Sequence, residues 1–358
     1  MANDLKRTLA DMVFAGAGAQ SLLDLPRDAV MKELELDLTL RLATGAAAGV
    51  GTLSEGGILS AIRRIEIVAD GALTLWNVDP VSLWVLNGLW NGGWSQRDAL
   101  AIPGPAGSNT LQASLELPFA LPFCDNPNVT LLNAQALTSF QLRVTWGAIG
   151  DLTQTPNDTT IAATTAITPT THEILGLSPR SPFAAFKVTQ IRVPITGAST
   201  ALQVELNRGN IMRGLLFQTR NTLNGVLDLN DGIINAIAIE SSEMNRGLFV
   251  HRNVRLTDTD GTARPAGGFE IRNNMRRLYG VPDYYTVFAG QQQAPAGATY
   301  LTGFSQLEFM EDKRTSSAIR TQLFTRLNSV LNVSAPAVTP EVIITQQEII
   351  PAARPRAA

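Results

Sequence analysis

Cysteine is almost missing: Cys124 stands alone in 358 residues, so no internal disulfide framework exists and packing must hold the fold. Charge is thin as well. Charged residues make up 16% of the chain, against about 25% in an ordinary soluble domain. Between residues 99 and 179 only Glu116, Asp125, Arg143, Asp151, Asp158 and Glu173 carry charge. A soluble monomer keeps a well-charged surface, so the scarcity points either to a neutral Ser/Thr/Asn surface, as residues 153–171 suggest locally, or to a surface much of which is covered by other subunits, the reading favoured here. Lysine is the rarest of the charged residues, 4 against 24 arginines, and arginine is the cation favoured at interfaces. A net charge of −3 gives no basic footprint for nucleic acid. No apolar run approaches the roughly 18 residues that cross a bilayer. Residues 1–25 lack the basic start, compact apolar block and cleavage site of a secretory leader.

What is present is strand grammar. Residues 33–42 read Glu-Leu-Glu-Leu-Asp-Leu-Thr-Leu-Arg-Leu. Leu34, Leu36, Leu38, Leu40 and Leu42 fall on one face of an extended chain and Glu33, Glu35, Asp37, Thr39 and Arg41 on the other, which predicts one wall of a sandwich. Residues 62–68 read as a second strand, stopped by the turn signal Asp70-Gly71. Asp79-Pro80 starts a helix with proline at its first position. Val81, Leu83, Trp84, Leu86, Leu89 and Trp90 make that helix apolar over a broad face, and Gly92-Gly93 ends it. Residues 114–121 and 128–132 are candidate strands, and Phe140, Leu142, Val144 and Trp146 alternate with polar residues in another.

The pattern then returns. Ile191, Val193 and Ile195 alternate within 186–195, and Thr196-Gly197-Ala198 follows them as Thr44-Gly45-Ala46 follows the first strand. An Arg-bearing apolar strand from Ile211 comes next. Further pieces are predicted at 233–239, a helix near 269–279, and strands at 300–309 and 323–333. Residues 147–182, rich in Thr, Pro and Gly without a sustained period, read as a linker. Before the first strand, Leu5, Leu9, Met12 and Val13 line one face of a short helix. Two β-domains with short strands, few helices and uneven loops fit paired sandwiches.

Candidate chemistry is sparse. His172 lies in the Thr/Pro segment and His251 in Phe-Val-His-Arg, and neither belongs to a His-x-His metal pair. Asp258-Thr-Asp260-Gly261 opens like a calcium loop, but the acidic ligand expected at its twelfth position falls on Phe269, so a hairpin turn is expected. Asp228-Leu-Asn-Asp231-Gly232 reads the same way. The carboxylate pairs Glu33/Glu35 and Glu240/Glu243 raise a glycosidase reading, but the first pair sits on the solvated face of its strand. No phosphate loop and no nucleophile elbow is present. Trp76, Trp84, Trp90 and Trp94 crowd into one short stretch, where they serve either as a sugar-stacking platform or as packing for the helix. The periodicity favours packing.

Leu25-Pro26-Arg27-Asp28 with the alternating strand, Ile62-Arg-Arg-Ile-Glu-Ile-Val-Ala-Asp-Gly, Asp79-Pro80 with its tryptophan helix, and the second round from Phe186 to Val333 together form a layout. It resembles the double jelly-roll major capsid proteins of tailless icosahedral DNA phages, the tectivirus and corticovirus type, with adenovirus hexon as a distant relative. The resemblance implies an all-β fold with a few short helices, built as two tandem eight-stranded jelly-roll β-sandwiches. It divides the chain into an N-terminal arm (1–24), a first jelly roll (25–150), a linker or excursion (151–182), a second jelly roll (183–338) and a C-terminal tail (339–358). It further implies a non-enzymatic shell protein with no catalytic, cofactor-binding or metal residues. Such a chain self-assembles as pseudo-hexagonal homotrimers that tile an icosahedral virion, after assembly in the host cytoplasm. Penton or minor capsid proteins are implied partners, as is an internal viral membrane reached through the termini, and no specific nucleic-acid binding is expected. In the tail, Val342-Ile-Ile and Ile349-Ile350 are placed to add a strand to a neighbour's edge, with Arg354 and Arg356 beyond them to meet phosphates. The alternative from another class is a carbohydrate-binding β-sandwich virion protein, resting on the tryptophan cluster.

Overall fold

A computed structural model describes residues 3–46, 51–154, 158–176, 183–223, 225–230, 232–241, 303–310, 312–334 and 339–352. In chain order the first half carries β1 (Asn3–Thr8), β2 (Met12–Val13), β3 (Gln20–Asp24), β4 (Val30–Thr44), β5 (Ile62–Ala69), β6 (Leu73–Val78), helix α1 (Pro80–Asn91), β7 (Ser108–Pro118), β8 (Leu132–Asn133), β9 (Phe140–Trp146), the one-turn helix α2 (Ile149–Leu152), β10 (Thr159–Ile161) and β11 (Ala166–Leu175). The second half carries β12 (Phe183–Pro194), β13 (Ser199–Glu205), β14 (Ile211–Leu223), β15 (Val226–Leu229), β16 (Ile234–Ser241), β17 (Phe304–Glu308), β18 (Ile319–Arg320), β19 (Leu327–Val333) and β20 (Glu341–Pro351).

The alternation at 33–42 is realised in β4, where all five leucines are buried while Asp37 and Arg41 are exposed. β4 is the hub of an antiparallel sheet, with β11 and then β1 on one side and β7 on the other. A second sheet runs β15-β14-β20-β12-β6-β5-β9-β3, with β17 and β18 also on β14. β13, β19 and β16 form a third. Two sandwiches result, and the long second sheet passes through both. Their joint is a short parallel pairing of β6 with β12, Val188 opposite Trp76 and Thr189 opposite Asn77. One continuous hydrophobic core takes in residues of both halves, from Leu34 and Leu142 to Phe217, Leu331 and Ile344.

Helix α1 starts and stops as its sequence predicts. The Asp79 carboxylate accepts from the backbone N–H of Val81 and Ser82 at 3.1 and 3.0 Å, satisfying donors that the first turn leaves open. Gly92 closes the helix in the left-handed region, φ 68°, where a side chain is penalised. Every residue from Pro80 to Trp90 is buried, which is why its apolar face is broad rather than a stripe. The helix packs against β7 and β5 of the first half and β14 of the second.

Three expectations change. The short helix around Leu5, Leu9, Met12 and Val13 does not form. The segment instead supplies β1, paired along β11, β2, paired with the start of β11, and β3, paired along β9. Backbone pairing on existing strands outweighs a helical spacing with little apolar content. Residues expected in a linker form β10 and β11, and β11 lies between β1 and β4. Its inward positions include Pro169, Thr171 and Glu173, so no hydrophobic period advertises it. Residues expected in the tail form β20, between β12 and β14. Smaller shifts occur at 128–132, where a single 3-10 turn (Pro127–Thr130) precedes β8, and at 323–333, where the strand begins only at Leu327 and Leu323 is exposed. The helix predicted near 269–279 lies outside the described residues.

Candidate functional site

The tryptophan cluster is packing. Trp76 and Trp84 are buried to 1% exposure or less and Trp90 to 7%. Trp76 meets Trp90 edge-on at 6.4 Å and Phe186 of β12 at 5.9 Å, so side chains of both halves interlock beneath α1. Trp84 donates to the Ser95 carbonyl, stacks on Trp94 at 4.7 Å and carries the Arg97 guanidinium 4.3 Å above its ring. A sugar platform needs an open ring face, and Trp84 is 1% exposed.

Around the N-terminus of α1 the two halves share a polar layer. Asp79 accepts from the Ser82 hydroxyl at 2.7 Å and from the Gln190 amide at 2.6 Å. Ser82 also donates to Gln218 of β14, and Gln190 donates to Thr345 of β20. Further along, Gln347 donates to Gln306. Arg213, at a bulge in β14, pairs with Glu308 of β17 at 3.3 Å, with side chains 0% and 2% exposed. Its guanidinium lies 5.6 Å from the Trp90 ring centre. On the other face of β20, Gln346 clamps the backbone of Asn207 by accepting from its N–H and donating to its carbonyl. Glu348 there meets Lys187 at 3.2 Å. Sequence reading passes over this layer because the glutamines and threonines that build it look like surface residues until strands 150 positions apart are brought together.

The other candidates are dispersed. His172 sits on β11 with Nε2 3.3 Å from Glu35, and Lys6 reaches the same carboxylate at 3.9 Å. Glu35 lies directly opposite Glu116 across the β4–β7 ladder, and Glu33 is beside them. Burial pushes the Glu33 carboxyl above its ordinary range; Glu116 and Glu35 push the same way, against His172 and Lys32. An acid with a raised folded-state value is steadied by its proton, and that stabilisation is lost as pH rises through the raised value. Glu33→Gln is therefore expected to raise the melting temperature at pH 7. It should have little effect near pH 3.5, below the ordinary glutamate value of about 4.3, as paired thermal melts can check. At the edge of this sheet Arg7 bridges the buried Glu173 at 3.0 Å and Asp28 at 2.9 Å, and holds the Asp28 carboxyl below its ordinary range.

Asp228 lies on β15, where Asn221 donates to it at 3.5 Å, and the Asn230 side chain accepts from the Gly232 N–H. His251, Asp258, Asp260, Asp231, Glu243, Arg354 and Arg356 lie outside the described residues, and Glu240 is exposed on β16. Among the described residues no group of three or more His, Cys, Asp and Glu is placed to hold a metal ion. A cavity of about 240 Å³ at the joint is lined by Arg63, Asp151, Arg220 and Glu341. Its charges are paired, Arg63 with Asp151 and Arg220 with Glu341, both at 2.8 Å. Among the described residues the geometry offers two sandwiches joined through one shared sheet and no assembled catalytic or metal cluster.

No protein-family model and no curated protein matches this sequence. Solved structures do match it over nearly its whole length. A chain from the atomic structure of Sulfolobus Turreted Icosahedral Virus superposes with a TM-score of 0.67 at 15% identity, over 98% of this chain and 91% of that one. The major capsid protein P2 from Bacteriophage PM2 gives 0.54 at 11% identity, covering 100% of both chains. The Faustovirus major capsid protein gives 0.56 at 9% identity, over 98% and 90%. At these identities the likeness is one of fold, and it spans both sandwiches together.

Proposed function

We propose that this double jelly-roll chain is the major capsid protein of an icosahedral virion, a structural protein that works by associating with copies of itself. The observation that carries the reading is the end-to-end match of both sandwiches, joint included, to chains described as major capsid proteins, with little of either chain left over. The physics agrees. The joint is well bonded: Trp76, Trp90 and Phe186 interlock there, and Asp79, Gln190 and Thr345 connect the halves. A tile must transmit lateral force without hinging, and a sheet shared by both sandwiches does that. Sparse charge lets like tiles approach without strong mutual repulsion.

In the finer form of the proposal, three chains make a trimer of pseudo-hexagonal outline and trimers tile the shell, with penton or minor proteins completing it. The termini face an underlying membrane or neighbouring trimers, assembly takes place in the host cytoplasm, and no chemistry is catalysed. Sedimentation velocity and native mass measurement of the purified chain test this. Trimers, and on concentration closed particles, are the expected result. A strict monomer at all concentrations overturns it.

A further inference from the structure

Asp79 stands where the two sandwiches meet, between β6 and α1, and is 3% exposed. One oxygen of its carboxylate, Oδ1, accepts from the backbone N–H groups of Val81 and Ser82. The other, Oδ2, accepts from the Ser82 hydroxyl and from the Gln190 amide of β12. The contact with Gln190 is reciprocal, because the backbone N–H of Asp79 donates to Gln190 Oε1 at 2.9 Å. Gln190 extends the connection to Thr345 of β20 at 3.0 Å, and Ser82 extends it to Gln218 of β14 at 3.1 Å. One carboxylate is therefore linked, directly or through one side chain, to three strands of the second sandwich. A helix cap needs one side-chain oxygen, and serine or asparagine supplies it as well as aspartate does. The second oxygen and the glutamine that faces it call for another explanation.

The other contacts at the joint supply adhesion with little direction. The β6–β12 ladder has two residue pairs, and the Trp76, Trp90 and Phe186 rings meet through apolar burial, which is non-directional. Bonds to a buried carboxylate are directional and about twice as strong as neutral ones. We infer that Asp79 is the positioning residue of the joint: through Gln190 its carboxylate fixes the setting of the second sandwich against the first, in addition to capping α1. The inference rests on the self-assembly reading and deepens it, because a closed ring of three needs every chain to present the same setting. The groups bonded to Asp79 are neutral, Val81 and Ser82 from α1 and Gln190 from β12. The charges next along the same strands, Arg192, Arg220 and Glu341, pair with one another, as do Arg213 and Glu308. The clasp itself holds one charge.

Three variants separate the clasp from the cap. Asp79→Ser keeps a capping oxygen but is too short to reach Gln190. Gln190→Glu sets two carboxylates at the 2.6 Å contact, where both cannot ionise; a shared proton restores the bond at pH 5 and is lost by pH 8. Asp79→Asn combined with Gln190→Glu exchanges amide and carboxylate, so donor still meets acceptor at both pH values. The setting is read as the distance between spin labels on Thr110→Cys and Thr200→Cys, exposed positions of the first and second sandwich. The labelled chain carries Cys124→Ser and is diluted with unlabelled chain. Native mass measurement counts trimers of the unlabelled variants, and melting curves verify folding. The parent chain is expected to give one narrow distance. Asp79→Ser is expected to give a wider distribution and about tenfold fewer trimers, the scale of one hydrogen bond to a charged group. Gln190→Glu behaves likewise at pH 8 and like the parent at pH 5, and the exchanged pair matches the parent throughout. A parent-like distance in Asp79→Ser, a Gln190→Glu chain indifferent to pH, or an exchanged pair that folds but stays wide overturns the inference; trimers of the parent then leave the shell reading standing. Distances that widen and recover as stated in a chain that never forms trimers uphold the clasp and overturn the shell reading.

Discussion

Replacing Glu308 by alanine is expected to remove about 3–5 kcal/mol of stability, the range for stranding one member of a buried ion pair. Arg213 is fully buried, its Nε is held by Glu308, and its two terminal nitrogens have no hydrogen-bond partner among the described residues. The aromatic faces of Trp90 and Phe186, 5.6 and 5.9 Å away, compensate part of the cation's desolvation but supply no acceptor. Without Glu308 the buried guanidinium has no counter-charge among the described residues, and the bulge in β14 that aims it inward becomes a liability. Urea unfolding with purified chain measures the loss as a shift in midpoint. The Arg213→Met/Glu308→Leu double variant is expected to recover most of it, because a buried pair is often no better than apolar residues of similar volume. An unchanged midpoint for Glu308→Ala would show that the pair is not sequestered.

Trp84→Ala is expected to cost about 3–5 kcal/mol, a fall in melting temperature on the order of 4–7 °C for a chain this size. The indole fills the space between α1 and the 94–97 segment. Its loss removes the stack with Trp94, the cation of Arg97 and the bond to the Ser95 carbonyl in one step. Trp84→Phe keeps the packing but loses the N–H and is expected to recover more than half of the deficit. Because α1 lies against β14 as well as β5 and β7, the effect should extend to both sandwiches, visible as one transition moved rather than two separated. A chain whose melting is unmoved by Trp84→Ala, yet which loses glycan binding on an array, would instead revive the sugar-platform reading.

Much of the first sandwich was readable because its strands obey one rule. β4 and β9 face water on one side and core on the other, so period two appears in the letters. α1 was readable for a different reason: Asp79, Pro80 and Gly92 are local signals that need no tertiary context. β11 and β20 were not readable, each for a physical cause. β11 buries Thr171 and Glu173, the first donating to the second at 2.6 Å and the second held by Arg7, so its inner face is polar in sequence. β20 is buried on both faces from Val342 to Ile349, with Thr345, Gln346, Gln347 and Glu348 all at 0% exposure. Such a strand shows no alternation, and its polar run imitates a solvated tail. The partners that make it tolerable, Gln190, Asn207, Gln306 and Lys187, come from three separate strands and loops. The strand β3 was hidden in a stretch expected only as an arm, because a short strand at the rim draws its order from β9 rather than from its own pattern.

β20 also sets the order of events during synthesis. It is the last of the strands in the ten-stranded sheet to leave the ribosome, yet it belongs between β12 and β14, which have been waiting with raw edges since far earlier in translation. The second sandwich cannot close until that final piece arrives. A product of premature termination that lacks residues 341–351 has no substitute for it, and its gap falls at the middle of the sheet rather than at a margin. A chain truncated before residue 341 is therefore expected to leave the second sandwich open, with the facing edges of β12 and β14 unpaired.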